Sequence, residues 1–170
     1  MKRLWAPWRM AYITRLGGLG GSRDGGCIFC VKPKQRRDAA NHIVQRGKKA
    51  FAMMNLFPYN NGHLMIAPYR HVGNFLKLTD AEMLEIMQLA QACQRAIADC
   101  MRPDGFNLGF NLGRTAGAGI AGHLHLHLVP RWNGDTNFMP VLGETKVISE
   151  SLDAAYARIR KRFAASAKHR

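Results

Sequence analysis

The sequence predicts an α+β fold, an antiparallel sheet of about five strands with a long helix and a C-terminal helix on one side of it. Three observations predict it. Short β-friendly runs recur between Pro, Gly and Asn-Gly punctuation from Asn41 to Ala67, the pattern of strands joined by tight turns. The stretch from Thr79 to Pro103 repeats its apolar residues at helical spacing instead. Finally, His123, His125 and His127 alternate with Leu124, Leu126 and Leu128, so the three imidazoles share one face of a strand.

Taken in order, residues 1 to 26 hold an aromatic and basic segment with Trp5, Trp8 and Tyr12, then a glycine-rich connector from Gly17 to Gly26. The folded domain is expected over residues 27 to 170. Asn41 to Gln45 and Lys49 to Met54 read as two strands, Asn55 to Gly62 as a turn and His63 to Ala67 as a third strand. Thr79-Asp-Ala-Glu82 is a capping box, and Met83, Leu84, Ile86, Met87, Leu89, Ala90, Cys93, Ile97 and Cys100 carry the helix to Pro103. Phe106 to Gly113 alternates as a fourth strand, with Asn107 and Asn111 on the side opposite its apolar residues. Arg114 to Gly122 is a loop with glycines at 117, 119 and 122, and Pro130, which lacks a backbone N–H, is expected to end the histidine strand. Lys146 to Ile148 reads as a short strand, and Ser149 or Ser151 caps a final helix running to about Ala164. A free sheet edge can pair two subunits, so a homodimer or higher assembly is expected.

Composition narrows the partners. The chain has 170 residues, 47% of them hydrophobic, and no apolar run as long as a membrane helix. Its first residues lack the apolar core of a signal peptide, so a cytoplasmic protein with no membrane partner is expected. Twenty-five Lys plus Arg against 11 Asp plus Glu give a formal charge of +14, a field that favours anionic partners. Polyphosphate nucleotides fit; nucleic acid is less favoured, because no separate reading module is visible.

The chemistry concentrates in a few side chains. At about 6.6 Å between alternate strand positions, the outer triad histidines stand about 13 Å apart, so the three have different jobs. A neutral imidazole approaches an anionic phosphate ester without the repulsion a charged nucleophile meets, which suits His125 to nucleotidyl transfer. Glycines before His123 permit an anion-binding nest of main-chain N–H groups. Cys27-Ile-Phe-Cys30 has the spacing of half a zinc knuckle, with a redox pair or two buried thiols as alternatives. Asn55 is equally consistent with a turn residue.

The pattern from His123 to Val129 resembles the histidine triad family of nucleotide hydrolases and transferases. Phe51 to His71 looks like the family's nucleoside-binding strand pair, and Asn111 to Gly117 like its phosphate loop. Trp5-Ala-Pro-Trp-Arg9 and Pro130 to Met139 are similar to the bacterial branch related to diadenosine tetraphosphate phosphorylase, also called ATP adenylyltransferase. The resemblance implies a histidine triad fold and a nucleotidyltransferase that phosphorolyses diadenosine tetraphosphate to ADP and ATP through an adenylyl-histidine. Its alternatives are a hydrolase releasing AMP from dinucleoside polyphosphates or adenosine phosphoramidates, and a nucleotide-binding protein without turnover. Residue by residue, it implies His125 as nucleophile and His127 as the group assisting departure. Asn55 would bind the ribose, and Phe51, Leu56, Phe57 and Ile66 would line the base. Asn111 with the amides of Gly117, Gly119 and Ile120 would hold the phosphate, with Arg114 toward the distal phosphates and Trp132 in the nucleotide site. A structural zinc held by Cys27, Cys30, His71 and His123 is implied, with no organic cofactor. Two departures from the pattern are Gly122 before the triad and Ala118, where many hydrolase-like relatives carry glutamine.

Overall fold

The side chains of the sheet divide between two faces, each covered by its own apolar cluster. The structure, a computed structural model, describes residues 26–136 and 147–167. Its strands are β1 (Ile43–Arg46), β2 (Ala50–Met54), β3 (Leu64–Pro68), β4 (Gly105–Phe110) and β5 (Leu126–Arg131), all antiparallel in the order β1-β2-β3-β5-β4. Helices α1 (Ile28–Lys34) and α2 (Asp38–Asn41) precede the sheet, α3 (Asp80–Met101) links β3 to β4, and α4 (Leu152–Ala167) closes the described chain. No helix among the described residues is long and apolar enough to cross a membrane.

One face of the sheet is the larger core. Ala50, Ala52, Met54, Leu64, Ile66, Leu126 and Leu128 pack there with Ile86, Leu89, Cys93 and Ile97 of α3 and Ala155 and Ile159 of α4. Burying one such aliphatic side chain contributes about 1.5–3 kcal/mol, so this layer supplies most of the fold's cohesion. The opposite face carries Phe29 of α1 with Ile43, Phe51, Met53, Met65 and Ala67. With both faces covered, β2 and β3 read as unbroken apolar runs, and neither the sequence Ala-Phe-Ala-Met-Met nor Leu-Met-Ile-Ala-Pro marks which side is which.

The long helix begins as the capping box requires. Thr79 Oγ1 accepts from the Glu82 amide while the Glu82 carboxylate accepts from the Thr79 amide. That carboxylate also meets the Arg70 guanidinium through two hydrogen bonds of 2.9 and 2.6 Å, tying the end of β3 to the start of α3. Cys93 and Cys100, seven residues apart, both face the core.

Several boundaries differ from expectation. Asn41 ends α2 rather than opening a strand, and its amide bonds to Lys32 and Gln35 instead. Pro130 does not end the histidine strand, which continues to Arg131. Pairing of β5 to β3 stops at Leu128, so Pro130 has only β4 as a neighbour, and its carbonyl accepts from Asn60 Nδ2. Nor does the strand begin at His123: it begins at Leu126, and Leu124 N–H donates instead to Val72 O beyond β3. Val147 and Ile148 carry no strand. Ser151, not Ser149, caps α4, its hydroxyl accepting from Ala154 N–H. The helices also do not all lie on one side, because α1 covers the second face. Residues 1 to 25, 137 to 146 and 168 to 170, including Trp5, Trp8, Tyr12, the connector before Gly26, Met139 and Lys146, lie outside the described residues.

Candidate active site and metal centre

Register decides which side chains share a face with the triad. Met65 of β3 and Gly109 of β4 both pair with His127, so His127 stands on the α1 side of the sheet while its neighbours Leu126 and Leu128 enter the core under α3. His125 and His127 stack edge to face at 4.8 Å between ring centroids, and Phe29 lies 4.9 Å from His125 and 5.2 Å from His123. The apolar floor of α1 therefore supports two triad rings at once.

The hydrogen-bond partners assign each neutral ring its proton. His125 Nδ1 lies 2.8 Å from the carbonyl oxygen of His123; a carbonyl only accepts, so Nδ1 donates and Nε2 keeps its lone pair. His123 Nε2 lies 2.9 Å from Pro68 O, so here Nε2 donates and Nδ1 keeps the lone pair. His127 is set by a residue outside the triad. The backbone N–H of Tyr59 donates to His63 Nδ1 at 3.0 Å, so the His63 proton sits on Nε2 and is given to His127 Nδ1 at 2.9 Å. His127 consequently presents Nε2–H as a donor, and the Asn111 amide lies 3.5 Å from it. Burial reinforces these neutral forms. It pushes His63 down to about 3 and His127 and His123 down to about 4, with neighbouring imidazoles adding to it, and it lowers His125.

The free Nδ1 of His123 faces the cysteine pair. Cys27 Sγ lies 3.3 Å and Cys30 Sγ 3.5 Å from it, and His71 Nδ1 lies 3.3 Å from Cys30 Sγ. The four ligand atoms lie within 4.8 Å of one another. Zinc bond lengths of about 2.3 Å to sulfur and 2.0–2.1 Å to nitrogen imply tetrahedral edges of about 3.3–3.8 Å, so the donor set fits such an ion with small adjustments. Gly73 keeps the adjoining strands of chain close: a Cβ there would come 2.9 Å from Ala121 O and 3.0 Å from the Gly122 backbone.

Other sequence-predicted residues divide. Asn111 reaches the triad, and Gly117, at φ +91°, lies beneath the Asn111 amide. Gly117 and Ala118 spend their amides on turn bonds to Arg114 O and Gly113 O, which leaves Gly119 and Ile120 as the nest's remaining donors of the predicted stretch. Ile120 packs against the Phe29 cluster. Phe51 is on the triad's face but fully buried, stacked on Tyr69 at 5.2 Å. Ile66 is a correction: strand alternation turns it into the α3 core, and Met65 takes the triad side. Leu56 and Phe57 are exposed at the β2–β3 turn. Asn55 adopts the turn role, its Oδ1 accepting from Phe57 N–H and its Nδ2 approaching His63 Nδ1 at 3.3 Å. Arg114 is exposed, and Trp132 lies past the far end of β5, about 23 Å along the strand from His125.

Sequence reasoning missed His63, Phe29, Tyr59 and Met65. His63 had a visible signal, an imidazole at the head of an apolar strand straight after Asn61-Gly62. Phe29 had only its place between two candidate metal ligands.

These features define a protein that presents a neutral histidine with a bare ring nitrogen beside a second histidine that offers a ring N–H, on an antiparallel sheet. The HIT domain profile matches residues 36–134, and the chain belongs to the HIT family. It is 44% identical over 155 residues to the AP-4-A phosphorylase of Mycobacterium tuberculosis (strain CDC 1551 / Oshkosh), covering 89% of this chain and 79% of that one. Among solved structures, a hypothetical histidine triad nucleotide-binding protein from Sulfolobus tokodaii superposes with a TM-score of 0.65 at 26% identity, covering 84% of this chain and 93% of that one. A Zn-bound histidine triad family protein from Mycobacterium smegmatis shares the fold, with a TM-score of 0.68 at 21% identity and coverage of 85% and 97%.

Proposed function

We propose that the protein transfers adenylyl groups from adenosine polyphosphates through a covalent adenylyl-His125, and that its reaction is phosphorolysis of diadenosine tetraphosphate to ADP and ATP. The observation that carries this is the His125 tautomer, whose Nδ1–H is held by the His123 carbonyl at 2.8 Å so that Nε2 offers a lone pair. Relatedness to an AP-4-A phosphorylase supports the choice of substrate.

In the first step the His125 Nε2 lone pair forms a bond to the α-phosphorus, and the bond from that phosphorus to its bridging oxygen breaks. The bridging oxygen leaves with the electron pair as the terminal oxygen of ATP. His127 Nε2–H, oriented by the His63 relay, donates to that oxygen as its charge grows. In the second step an orthophosphate oxygen attacks the same phosphorus, the N–P bond breaks, and the electron pair returns to Nε2 with release of ADP. Asn111 and the amides of Gly119 and Ile120 serve the non-bridging oxygens, where they stabilise charge best if fixed in advance.

The Cys27, Cys30, His71 and His123 set fits a zinc ion that leaves no open position and so acts as a structural crosslink. By fastening His123 it fixes the carbonyl that orients His125.

The test is a product assay on diadenosine tetraphosphate with and without orthophosphate. Phosphate-dependent ADP and ATP, abolished in His125→Ala, is the expected result. AMP and ATP formed equally without phosphate would replace phosphorolysis by hydrolysis, and tight nucleotide binding with no adenylated protein would remove the enzymatic reading.

A further inference from the structure

The triad occupies one face of the sheet, and α3 with α4 covers the other. Where the end of α3 meets α4, an open pocket of about 490 Å³ is lined by Asp99, Cys100, Arg102, Arg158, Lys161 and Arg162, a volume in the range of small-ligand sites. Four of its six lining residues are cations. Helical spacing brings three of them together, because Arg158, Lys161 and Arg162 stand at i, i+3 and i+4 on α4, while Ile159 and Phe163 turn toward the core. Arg102 joins them from the C-terminal cap of α3.

Part of this charge has a structural task. The last turn of α3 holds no basic residue of its own, and Arg158 reaches across from α4 to supply one, its Nη2 donating to the carbonyl oxygen of Cys100. Its Nη1 donates to the two Glu150 oxygens at 3.1 and 3.2 Å, so Arg158 is a fixed and charge-balanced wall. The side chains of Arg102, Lys161 and Arg162 are exposed and make no hydrogen bond or ion pair among the described residues. Asp99 lies within salt-bridge distance of none of them. Like charges at helical spacing repel, and the fold gains nothing from gathering three around one hollow. Arg102 points the same way: it ends α3 at φ +49°, in the left-handed region, where glycine is the usual residue and a side chain is held at some cost.

The lining selects the partner. No aromatic ring is present on which a base could stack. Asp99 interrupts the line from Arg102 to Arg95, the exposed arginine two turns earlier on α3, so the charge is a compact cluster and not a track for a nucleic-acid strand. High negative charge in a small volume is the chemistry that matches, and arginine is the side chain best suited to phosphate oxygens. We propose that the pocket between α3 and α4 is a second anion site, which binds a short polyphosphate chain through Arg102, Lys161 and Arg162, away from the triad and without contact to a base.

Free inorganic polyphosphate and the phosphate tail of a nucleotide share this chemistry, so the experiment titrates the full chain, purified without chelator, with inorganic tripolyphosphate, with ATP and with a short single-stranded DNA oligonucleotide, following backbone amides by NMR. Tripolyphosphate is expected to shift the amides of residues 99 to 102 and 158 to 162 saturably, with an affinity that weakens as salt is raised. Arg102→Gly and Lys161→Gln are each expected to weaken that binding about three- to fivefold, the scale of one exposed ionic contact. Arg102→Gly is expected to melt close to the parent, because glycine suits the left-handed position, which separates lost binding from lost structure. ATP shifting the same amides with an affinity within about threefold of tripolyphosphate adds the nucleotide tail as a source, and no shift there with ATP restricts the site to the free chain. ATP bound there at least about tenfold more tightly shows that the nucleoside is held as well and overturns the base-free site. Shifts confined to residues 111 to 127, or parent-like affinity in both variants, overturn the location. Tighter binding of the oligonucleotide at these amides replaces polyphosphate by nucleic acid.

Discussion

The two ends of the triad use the same residue type at the same spacing and do opposite things. At His123 the ring donates from Nε2 to Pro68 O and turns the bare Nδ1 to two sulfurs. At His127 the ring accepts at Nδ1 from His63 and turns a protonated Nε2 toward the site. Between them His125 donates from Nδ1 and keeps Nε2 bare. Nothing in the imidazoles themselves separates the ring proposed as a metal ligand from those proposed as nucleophile and donor. The partner of the other ring nitrogen makes the choice, and two of the three partners are backbone carbonyls.

The sharpest way to break this comparison is to delete one ring at a time. His125→Ala removes the bare ring nitrogen proposed to attack the substrate, and kcat is expected to fall by at least about 10⁴-fold with little change in thermal stability. His123→Ala is expected to cost both activity and stability, because the metal corner and the carbonyl's placement depend on that side chain. Steady-state kinetics beside a melting curve separates the two; equal loss of stability in both variants would dissolve the distinction.

Next in size is His63, the relay outside the triad. His63→Ala leaves His127 Nδ1 without its donor, freeing the wrong tautomer, and a loss of about 10²-fold in kcat is expected, the scale of a lost general-acid contribution. His63→Gln, which can still donate from an amide, is expected to recover part of it. Full activity in His63→Ala would show that His127 chooses its tautomer without help.

How much of this was legible in the chain follows from where each piece of information sits. The triad, the cysteine pair, the capping box and the long helix are local patterns with a period, and the structure carries them within a few residues. The family resemblance put Ile66 near the base, and because β2 and β3 are apolar on both faces, no polar alternation marked which side met the triad. His63 meets His127 across 64 positions of chain, and Phe29 meets His125 across 96. Such pairs are created by strand order, with β5 inserted between β3 and β4, and no local spacing encodes them. Trp132 and Arg114 stand near the site in sequence, yet Trp132 lies past the far end of β5 and Arg114 is exposed in the loop before the triad.

Removing metal tests the first corner alone. Prolonged chelation is expected to lower the melting temperature by several degrees, on the scale of a site worth about 1–2 kcal/mol in a domain of this size, and to release close to one zinc per chain by elemental analysis. The Cys27→Ser variant is expected to melt at the chelated protein's temperature and to show no further response to chelator. An unchanged melting temperature in both would mean that Phe29, the Leu124 bond to Val72 and the Gly73 contact hold the loop without an ion.

The smallest effect lies farthest from the triad and isolates the scaffold. Glu82, nearly buried, is drawn down to about 2, first by its hydrogen bonds from Arg70 and then by those from Thr79, against the opposing effect of burial. Its ordinary value is 4.5, so between those values the unfolded chain binds a proton that the folded chain does not, and stability falls as pH falls through this window. The stabilisation is fully present above about pH 5. Glu82→Gln keeps a hydrogen-bonding group at the cap but has no such titration, so it is expected to be less stable at neutral pH by about 1 kcal/mol, the usual worth of a helix cap, and to lose less on acidification from pH 5 to 3. His63 and His127 add a slope of the same sign at higher pH, because burial holds their folded values below the 6.5 of the free imidazole. Denaturant titrations at pH 7, 5 and 3 resolve the two contributions: the loss of stability on acidification should be smaller in the Glu82 variant than in the parent between pH 5 and 3 and nearly the same between pH 7 and 5, whereas parallel curves throughout would assign the acid lability to the histidines alone.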